Sequence, residues 1–266
     1  MKRRRLDAEL VRRGLAASRT EAQDAVRDGA VLVGGRAASK PSTLVAPEEP
    51  IELRGSPRRF VSRGGEKLDA ALLRFRIDPA GRRCLDAGAS TGGFTDRLLR
   101  GGAEHVVALD VGYGQLAWSL RTDPRVTVLE RTNVRVLTPT HLPYAPDLVV
   151  ADLSFISLRL AIPALATTTT DEADLVLLVK PQFEAGPADV GRGGVVRSPE
   201  VWRRAIEQVA DACVRNGAGP VAVMASPLTG PAGNVEYFLH ARCGASPRSL
   251  DLDGAVRERP SIGGGG

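Results

Sequence analysis

Apolar positions along this chain follow two rhythms, and the change comes near residue 82. In the first stretch, RLDAELVRRG spaces its apolar residues as an amphipathic helix that ends at Gly14. Ser18 and Glu21, three apart, form a capping box in which each satisfies the other's orphan amide, so a second helix starts there and closes near Gly29. AVLVGGRAAS then reads as strand, Gly-Gly turn, strand, and STLV and PIEL as further short strands. RGSPRRFVSRGGEKL interrupts the pattern with Gly and Pro and serves as a linker before apolar periodicity resumes at Leu68, Leu72 and Leu73. These breaks predict a small unit over residues 1–57, a linker over 58–64, a larger domain over 65–260 and a Gly-rich tail over 261–266.

From residue 82 strands and helices alternate. RRCLDAGAS is a strand entering a Gly-rich turn, TGGFTDRLLRGG begins a helix, and HVVALDVG is the next strand. RVTVLE, DLVVADLS, DLVLLVKP, PVAVMASP and EYFLHARC supply more strands. A helix starts at Ser198-Pro199-Glu200, with Ser as cap and Pro at the first helical position. Its Val201, Trp202, Ala205, Ile206 and Val209 share one face and belong to the core. The predicted class is α/β: a Rossmann-like doubly wound sheet whose ligand sits beyond the carboxyl ends of the strands, preceded by a small α+β unit.

The turn after the first strand narrows the ligand. It reads Gly88-Ala-Ser-Thr-Gly92-Gly93 rather than G-x-G-x-x-G, so a nicotinamide dinucleotide is the weaker reading. Asp86 and Asp110 instead stand at the ends of the first two strands. A carboxylate at Asp110 can bind paired ribose hydroxyls, and one at Asp86 can attract a cationic amino-acid portion. S-adenosylmethionine has both groups. Asp86, Gly88, Ser90, Thr91, Gly92, Gly93, Phe94, Asp110 and Val111 are the candidate donor-binding residues.

A second chemical feature lies in LVLLVKPQF, where five aliphatic residues run straight into Lys180. That lysine falls at the carboxyl end of its strand, the same edge as Asp152 in VVADLSFIS. Lys67, after SRGGE, and Glu236, after PLTGPAGN, are the other charged candidates for this edge.

Charge divides unevenly along the chain. Residues 1–65 hold 14 Lys+Arg against 8 Asp+Glu, a balance of +6, while the rest hold 22 against 23. Arg3, Arg4, Arg5, Arg12, Arg13, Arg19 and Arg27 crowd the helical part of the first unit, where a polyanion finds several phosphate partners at once. Cys84, Cys213 and Cys243 are odd in number and widely separated, which fits buried thiols rather than a disulfide framework. His105, His141 and His240 lack metal-ligand spacing, so no metal is expected. No apolar run approaches a membrane span and no signal segment follows MKRRRLDAEL, so the expected location is cytoplasmic.

Two helices with the hairpin of DGAVLVGGRAASKPS resemble the S-four RNA-binding domain over residues 4–54. Lys67, Asp152, Lys180 and Glu236, in this order, resemble the Lys-Asp-Lys-Glu set of the FtsJ-like RNA ribose 2′-O-methyltransferases. SRGGEKL, LDAGASTGGFTD, ADLSFIS, VKPQFE, GRGGVVR and GNVEYF together resemble the TlyA family, whose members are also labelled hemolysins. The resemblance implies methylation of cytidine ribose in small- or large-subunit ribosomal RNA. It also implies S-adenosylmethionine as cofactor, ribosomal RNA or ribosomal subunits as partner, and those four residues as the catalytic set; the sequence does not fix the oligomeric state, for which a monomer is the expectation.

The chemistry suits such residues. A ribose hydroxyl is a poor nucleophile at neutral pH, and an ordinary lysine, with a pKa of about 10.4, is protonated and cannot act as a base. Burial and nearby positive charge favour the neutral amine, so Lys67 and the donor's sulfonium help Lys180 accept the hydroxyl proton. Asp152 and Glu236 orient the amines while opposing that effect. Two alternatives stay open at this level: a nucleotide-dependent reductase on a similar sheet, and a non-enzymatic RNA-binding or hemolysin-like protein. The glycine turn argues against the first; the second leaves the four charged positions without a role.

Overall fold

The computed structural model describes residues 3–16, 19–27, 29–54, 59–191, 193–258 and 260. Ser18 and the side chains of Glu21 and Arg27 lie outside what is described, and with them the expected capping box and the phosphate-binding role of Arg27. The chain divides into two compact units, residues 1–62 and 63–266.

In the first unit, β1 (Arg4–Arg5) leads into α1 (Leu6–Arg12) and α2 (Arg19–Arg27), followed by β2 (Val31–Val33), β3 (Arg36–Ala37), β4 (Leu44–Val45) and β5 (Ile51–Leu53). The apolar stripe of the helices explains their pairing: Leu6, Leu10, Ala22, Ala25 and Val26 close on Val31 and Val45 in one small core. The Gly34-Gly35 turn has positive φ at both glycines, the conformation a tight hairpin needs, and it joins β2 to β3. β2 also pairs with β5, and β4 with β1.

The second unit opens with α3 (Arg63–Phe75), which begins inside the stretch expected to be linker. Gly64 and Gly65 are tolerated because Leu68 and Leu72 anchor the helix in the interior, at no more than 1% exposure. Leu73, expected with them, faces solvent. There follow β6 (Arg83–Ala87), α4 (Gly93–Arg100), β7 (His105–Leu109), α5 (Trp118–Arg121), β8 (Val126–Leu129), β9 (Leu148–Ala151), α6 (Leu158–Thr168), β10 (Asp174–Val179), α7 (Pro181–Glu184), α8 (Pro199–Arg215), β11 (Ala218–Ala225), β12 (Tyr237–Cys243) and α9 (Leu252–Arg257).

The strands form one seven-stranded sheet in the order β11-β12-β10-β9-β6-β7-β8. The five from β6 to β10 run parallel; β12 is antiparallel to β10, and β11 to β12. Parallel strands buried on both faces need continuous apolar runs, and Leu148–Ala151 and Leu175–Val179 supply them. Helix α8 lays Val201, Trp202, Ala205, Ile206 and Val209 into this core as expected, and Ser198 Oγ caps it by accepting from Val201 N at 3.3 Å. The three cysteines are buried free thiols. Strands are added outward from β6 in one direction through β8 and in the other from β9, and this reversal of order places a crevice at the carboxyl ends of β6 and β9.

Candidate active site

Gly88 follows β6 and Asp152 follows β9, and the two segments are in close contact at the switch point. Gly88 has φ +88, and a Cβ there would lie 2.4 Å from the Asp152 backbone oxygen, so only glycine lets the turn pass. Beside them opens a cavity of about 430 Å³, lined by Gly88, Ser90, Asp110, Gln115, Asn133 and Asp152 among others. Asp110 is held by two backbone amides: Ser90 N donates to Oδ2 at 2.8 Å, and Gly112 N to Oδ1 at 2.6 Å. Its carboxylate is thereby fixed while lone pairs remain for a ligand.

Asp86 lies beneath this turn and is fully buried. Its Oδ2 accepts from Thr95 Oγ1 at 2.7 Å, whereas Oδ1 has no hydrogen-bond partner among the described residues. Burial pushes its pKa up to about 7, against the lowering effect of the Thr95 bond, and the carboxylates of Asp152 and Asp110 raise it further. Of these three acids, Asp110 and Asp152 line the cavity.

The four charged candidates assemble into two pairs, one buried and one with a half-buried carboxylate. Lys67 Nζ donates to Glu236 Oε2 at 2.6 Å, with both side chains at most 9% exposed. Lys180 Nζ lies 2.5 Å from Asp152 Oδ1 at an angle too oblique for a good hydrogen bond, and donates to Ser154 Oγ at 2.9 Å. Sheet register brings the pairs to one edge. Val179 is paired with Tyr237, so Lys180, one residue after its partner in β10, and Glu236, one residue before its partner in β12, emerge opposite one another. Asp152 is the member of the set that also lines the cavity. A cavity rich in fixed acceptors, adjoining two buried lysines, suits a cationic ligand with vicinal hydroxyls and an acceptor bound at the strand edge.

Comparison with known proteins supplies the family. The model for the FtsJ-like methyltransferase matches residues 60–243, and that for the S4 domain matches residues 4–51. The protein named 16S/23S rRNA (cytidine-2′-O)-methyltransferase TlyA from Mycobacterium tuberculosis is 57% identical over 254 residues, 95% of this chain and 94% of that one. The chain belongs to the TlyA family. Hemolysin A of Brachyspira hyodysenteriae is 37% identical over 89% of this chain and 98% of its own. A solved Streptococcus thermophilus structure, provisionally called a hemolysin, superposes with a TM-score of 0.76 at 38% identity, covering 97% of this chain and 94% of that one. Both the expected family and the α/β methyltransferase fold are therefore correct. Among the described residues, no helix is long and apolar enough to cross a membrane.

In this member of the family the expected donor residues separate. Gly88, Ser90, Asp110 and Val111 line the cavity. Asp86, Thr91, Gly93 and Phe94 are not among its lining residues: Asp86 is fully buried, and Phe94 is buried and packs on Phe238, with ring centroids 6.1 Å apart, so it is core. Gly92 leaves room for Leu120 and Leu116, whose methyl carbons a Cβ would meet at 2.3 and 2.8 Å. Sequence reading missed Gly112, Gln115, Thr132, Asn133 and Val134, together with Leu153 to Ile156. Gln115 stands five residues after Asp110, a spacing that could have signalled it. Thr132 and Asn133 come back to the site only through β8, where Thr132 N donates to Asp110 O at 3.0 Å.

The basic residues of the first unit also divide. Arg3 and Arg4 are exposed, and Arg5, Arg12 and Arg19 are exposed while paired to Asp7 or Glu9. Arg13 is held internally: its guanidinium donates to Glu9 Oε1 at 2.8 Å and to the carbonyls of Pro47 and Glu49 at 2.7 and 2.8 Å. With its donors bound inside the unit, Arg13 clamps α1 to the 46–49 turn rather than presenting itself to a phosphate. Arg12 and Arg13 together hold the Glu9 carboxyl down at about 2, against the effect of burial.

Proposed function

We propose that this protein transfers the methyl group of S-adenosylmethionine to the 2′-hydroxyl of cytidines in ribosomal RNA, using residues 1–62 to hold the RNA. The observation that carries the reading is the meeting of Lys180–Asp152 and Lys67–Glu236 at one strand edge beside an acceptor-lined cavity. The name of the Mycobacterium tuberculosis relative, 57% identical, supports cytidine ribose as the substrate.

The cavity fits the donor at Asp110, whose fixed carboxylate suits paired ribose hydroxyls. Asp86, fully buried and not a lining residue, keeps one oxygen without a partner and adds negative potential that suits an ammonium group nearby. Gly88, Ser90 and Val111 would complete the cradle. When bound, S-adenosylmethionine supplies an electrophilic methyl carbon on a sulfonium.

The chain's own residues orient the nucleophile and take its proton. Lys180 Nζ donates to Ser154 Oγ and lies against the Asp152 carboxylate, and a further tetrahedral position on its nitrogen is left for the ribose hydroxyl. Lys180 Nζ, as the neutral amine, would accept the hydroxyl proton as the methyl carbon leaves sulfur for the ribose oxygen and the sulfonium becomes a neutral thioether, with Asp152 beside it to orient the amine. Lys67, on α3 and ion-paired with Glu236, holds the ribose from beside this strand edge. General-base help of this kind is typically worth about 10²–10⁴ in rate, and alignment of the reacting atoms adds to it.

The deciding test is incubation with radiolabelled S-adenosylmethionine and ribosomal subunits, followed by nuclease digestion. Labelled 2′-O-methylcytidine is the expected product. Label on a base, on protein, or nowhere would refute the reading, and tight nicotinamide dinucleotide binding would revive the reductase.

A further inference from the structure

VKPQFE contains a second charged residue that the methyl-transfer reading leaves unused. Glu184 closes α7, four residues after Lys180, and is 4% exposed. A buried carboxylate is costly unless its oxygens are satisfied, and those of Glu184 are satisfied by one segment. Leu158 N donates to Oε1 at 2.7 Å, Ser157 Oγ donates to Oε2 in a short bond, and Arg159 Nε approaches Oε2 at 3.3 Å. Arg159 Nη2 also donates to the Glu184 backbone oxygen at 3.1 Å.

The segment so gripped is the far end of the loop that begins at Asp152. Capping alone does not explain Glu184, because Ser157 already caps α6 through Arg159 N at 3.2 Å. Contacts between the loop and the chain from Lys180 run in step along both. Lys180 meets Asp152 and Ser154, Phe183 lies against Phe155 with centroids 5.5 Å apart, and Glu184 meets residues 157–159. Between the two fixed ends Phe155 adopts φ +64, uncommon for a bulky side chain.

We propose that Glu184 is a positioning residue: it locks the 152–158 loop against the end of β10, so that Asp152 and Ser154 present to Lys180 in one arrangement. The proposal rests on the role given to Lys180 above. Glu184 is not itself a lining residue of the donor cavity, although the loop it holds supplies Asp152 and Leu153 to Ile156 to that lining.

The test uses the full chain, with single-turnover methylation of ribosomal subunits at saturating donor and separate titrations of donor and RNA. Glu184→Ala should lower the single-turnover rate at saturating donor by about 10²-fold, the scale of a small misplacement, with RNA affinity within about threefold of wild type and any loss of donor affinity too small to account for the rate. Glu184→Gln should recover most of the rate, because its amide still accepts from Leu158 N and reaches Ser157. In a Lys180→Ala background, Glu184→Ala should add no further loss, since a residue acting through Lys180 has nothing left to position. A general weakening of the fold would instead lower the rate equally in both backgrounds and overturn the proposal. So would a wild-type rate in Glu184→Ala, or a loss confined to donor affinity. If Glu184→Ala does not fold, Ser157→Ala, which removes the hydroxyl that donates to Glu184, decides the matter, and a wild-type rate in it would refute the proposal. A wild-type protein that methylates no ribose overturns the methyl-transfer reading and this proposal with it; an active one insensitive to Glu184 overturns this proposal alone.

Discussion

Replacing Asp86 with Asn should stabilise the ligand-free protein at pH 8, an advantage that disappears near pH 4. Asp86 is fully buried, and its pKa stands at about 7 against an ordinary value of 3.8. Between those values the native state holds a proton that the unfolded chain has lost, so stability falls as pH rises through the window and levels off above it. A shift of roughly three units corresponds to about 4 kcal/mol at pH 8. Asn still accepts the Thr95 hydroxyl but buries amide donors, which costs about 1–3 kcal/mol. The net gain is then roughly 1–3 kcal/mol, or about 2–10 °C in melting temperature for a unit of this size. Thermal unfolding followed by circular dichroism from pH 4 to pH 8 measures it. With saturating S-adenosylmethionine the gap should narrow, because a cation bound beside Asp110 and Asp152 would offset the charges that raise the Asp86 pKa. A melting difference that is independent of pH, or destabilisation at pH 8 without ligand, would refute the buried-charge argument.

Other expectations follow from the same geometry. Asp110→Ala should weaken donor binding in titration calorimetry by roughly tenfold or more, the loss of one or two hydrogen bonds to a charged acceptor, with the fold intact by circular dichroism. Gly88→Ala should destabilise the second unit and abolish donor binding, because the added Cβ meets the Asp152 backbone at 2.4 Å and neither strand end can retreat; a normal melting curve would show that the turn does give way. Lys180→Ala should lower the single-turnover methylation rate by about 10²–10⁴ while donor and RNA affinities hold, and a near-wild-type rate would remove Lys180 from the chemistry. Replacing exposed Arg3 and Arg4 with Gln should weaken RNA binding and flatten its dependence on salt, by about 0.7–0.9 in logarithmic slope for each phosphate no longer neutralised. The matching Arg13→Gln change should instead lower stability by releasing the clamp on the 46–49 turn.

What the sequence determined by itself were the features written in local chemistry. Alternating strand and helix patterns from residue 82, the Ser198-Pro199 helix start and the glycine turn are each set by near neighbours, and they placed the sheet and Asp110 correctly. Lys180 announced itself because a charge directly after five aliphatic residues has to lie at a strand end. Helix α6 was not legible: it is apolar on most sides, with Leu158, Ile162 and Leu165 buried and Pro163 inside it, so no amphipathic period marks it. Only tertiary structure could decide how the four charged residues pair. Lys67 and Glu236 are 169 residues apart and meet because α3 packs against the end of an antiparallel strand whose register puts Glu236 opposite Lys180. Burial decided the rest. It took Phe94 into the core, engaged Arg13 with carbonyls, left one oxygen of Asp86 unsatisfied and made Glu184 the anchor of a loop 26 residues away. Each of these depends on which polar atoms the folded chain removes from water, a quantity set by packing over the whole unit and not by any short stretch of residues.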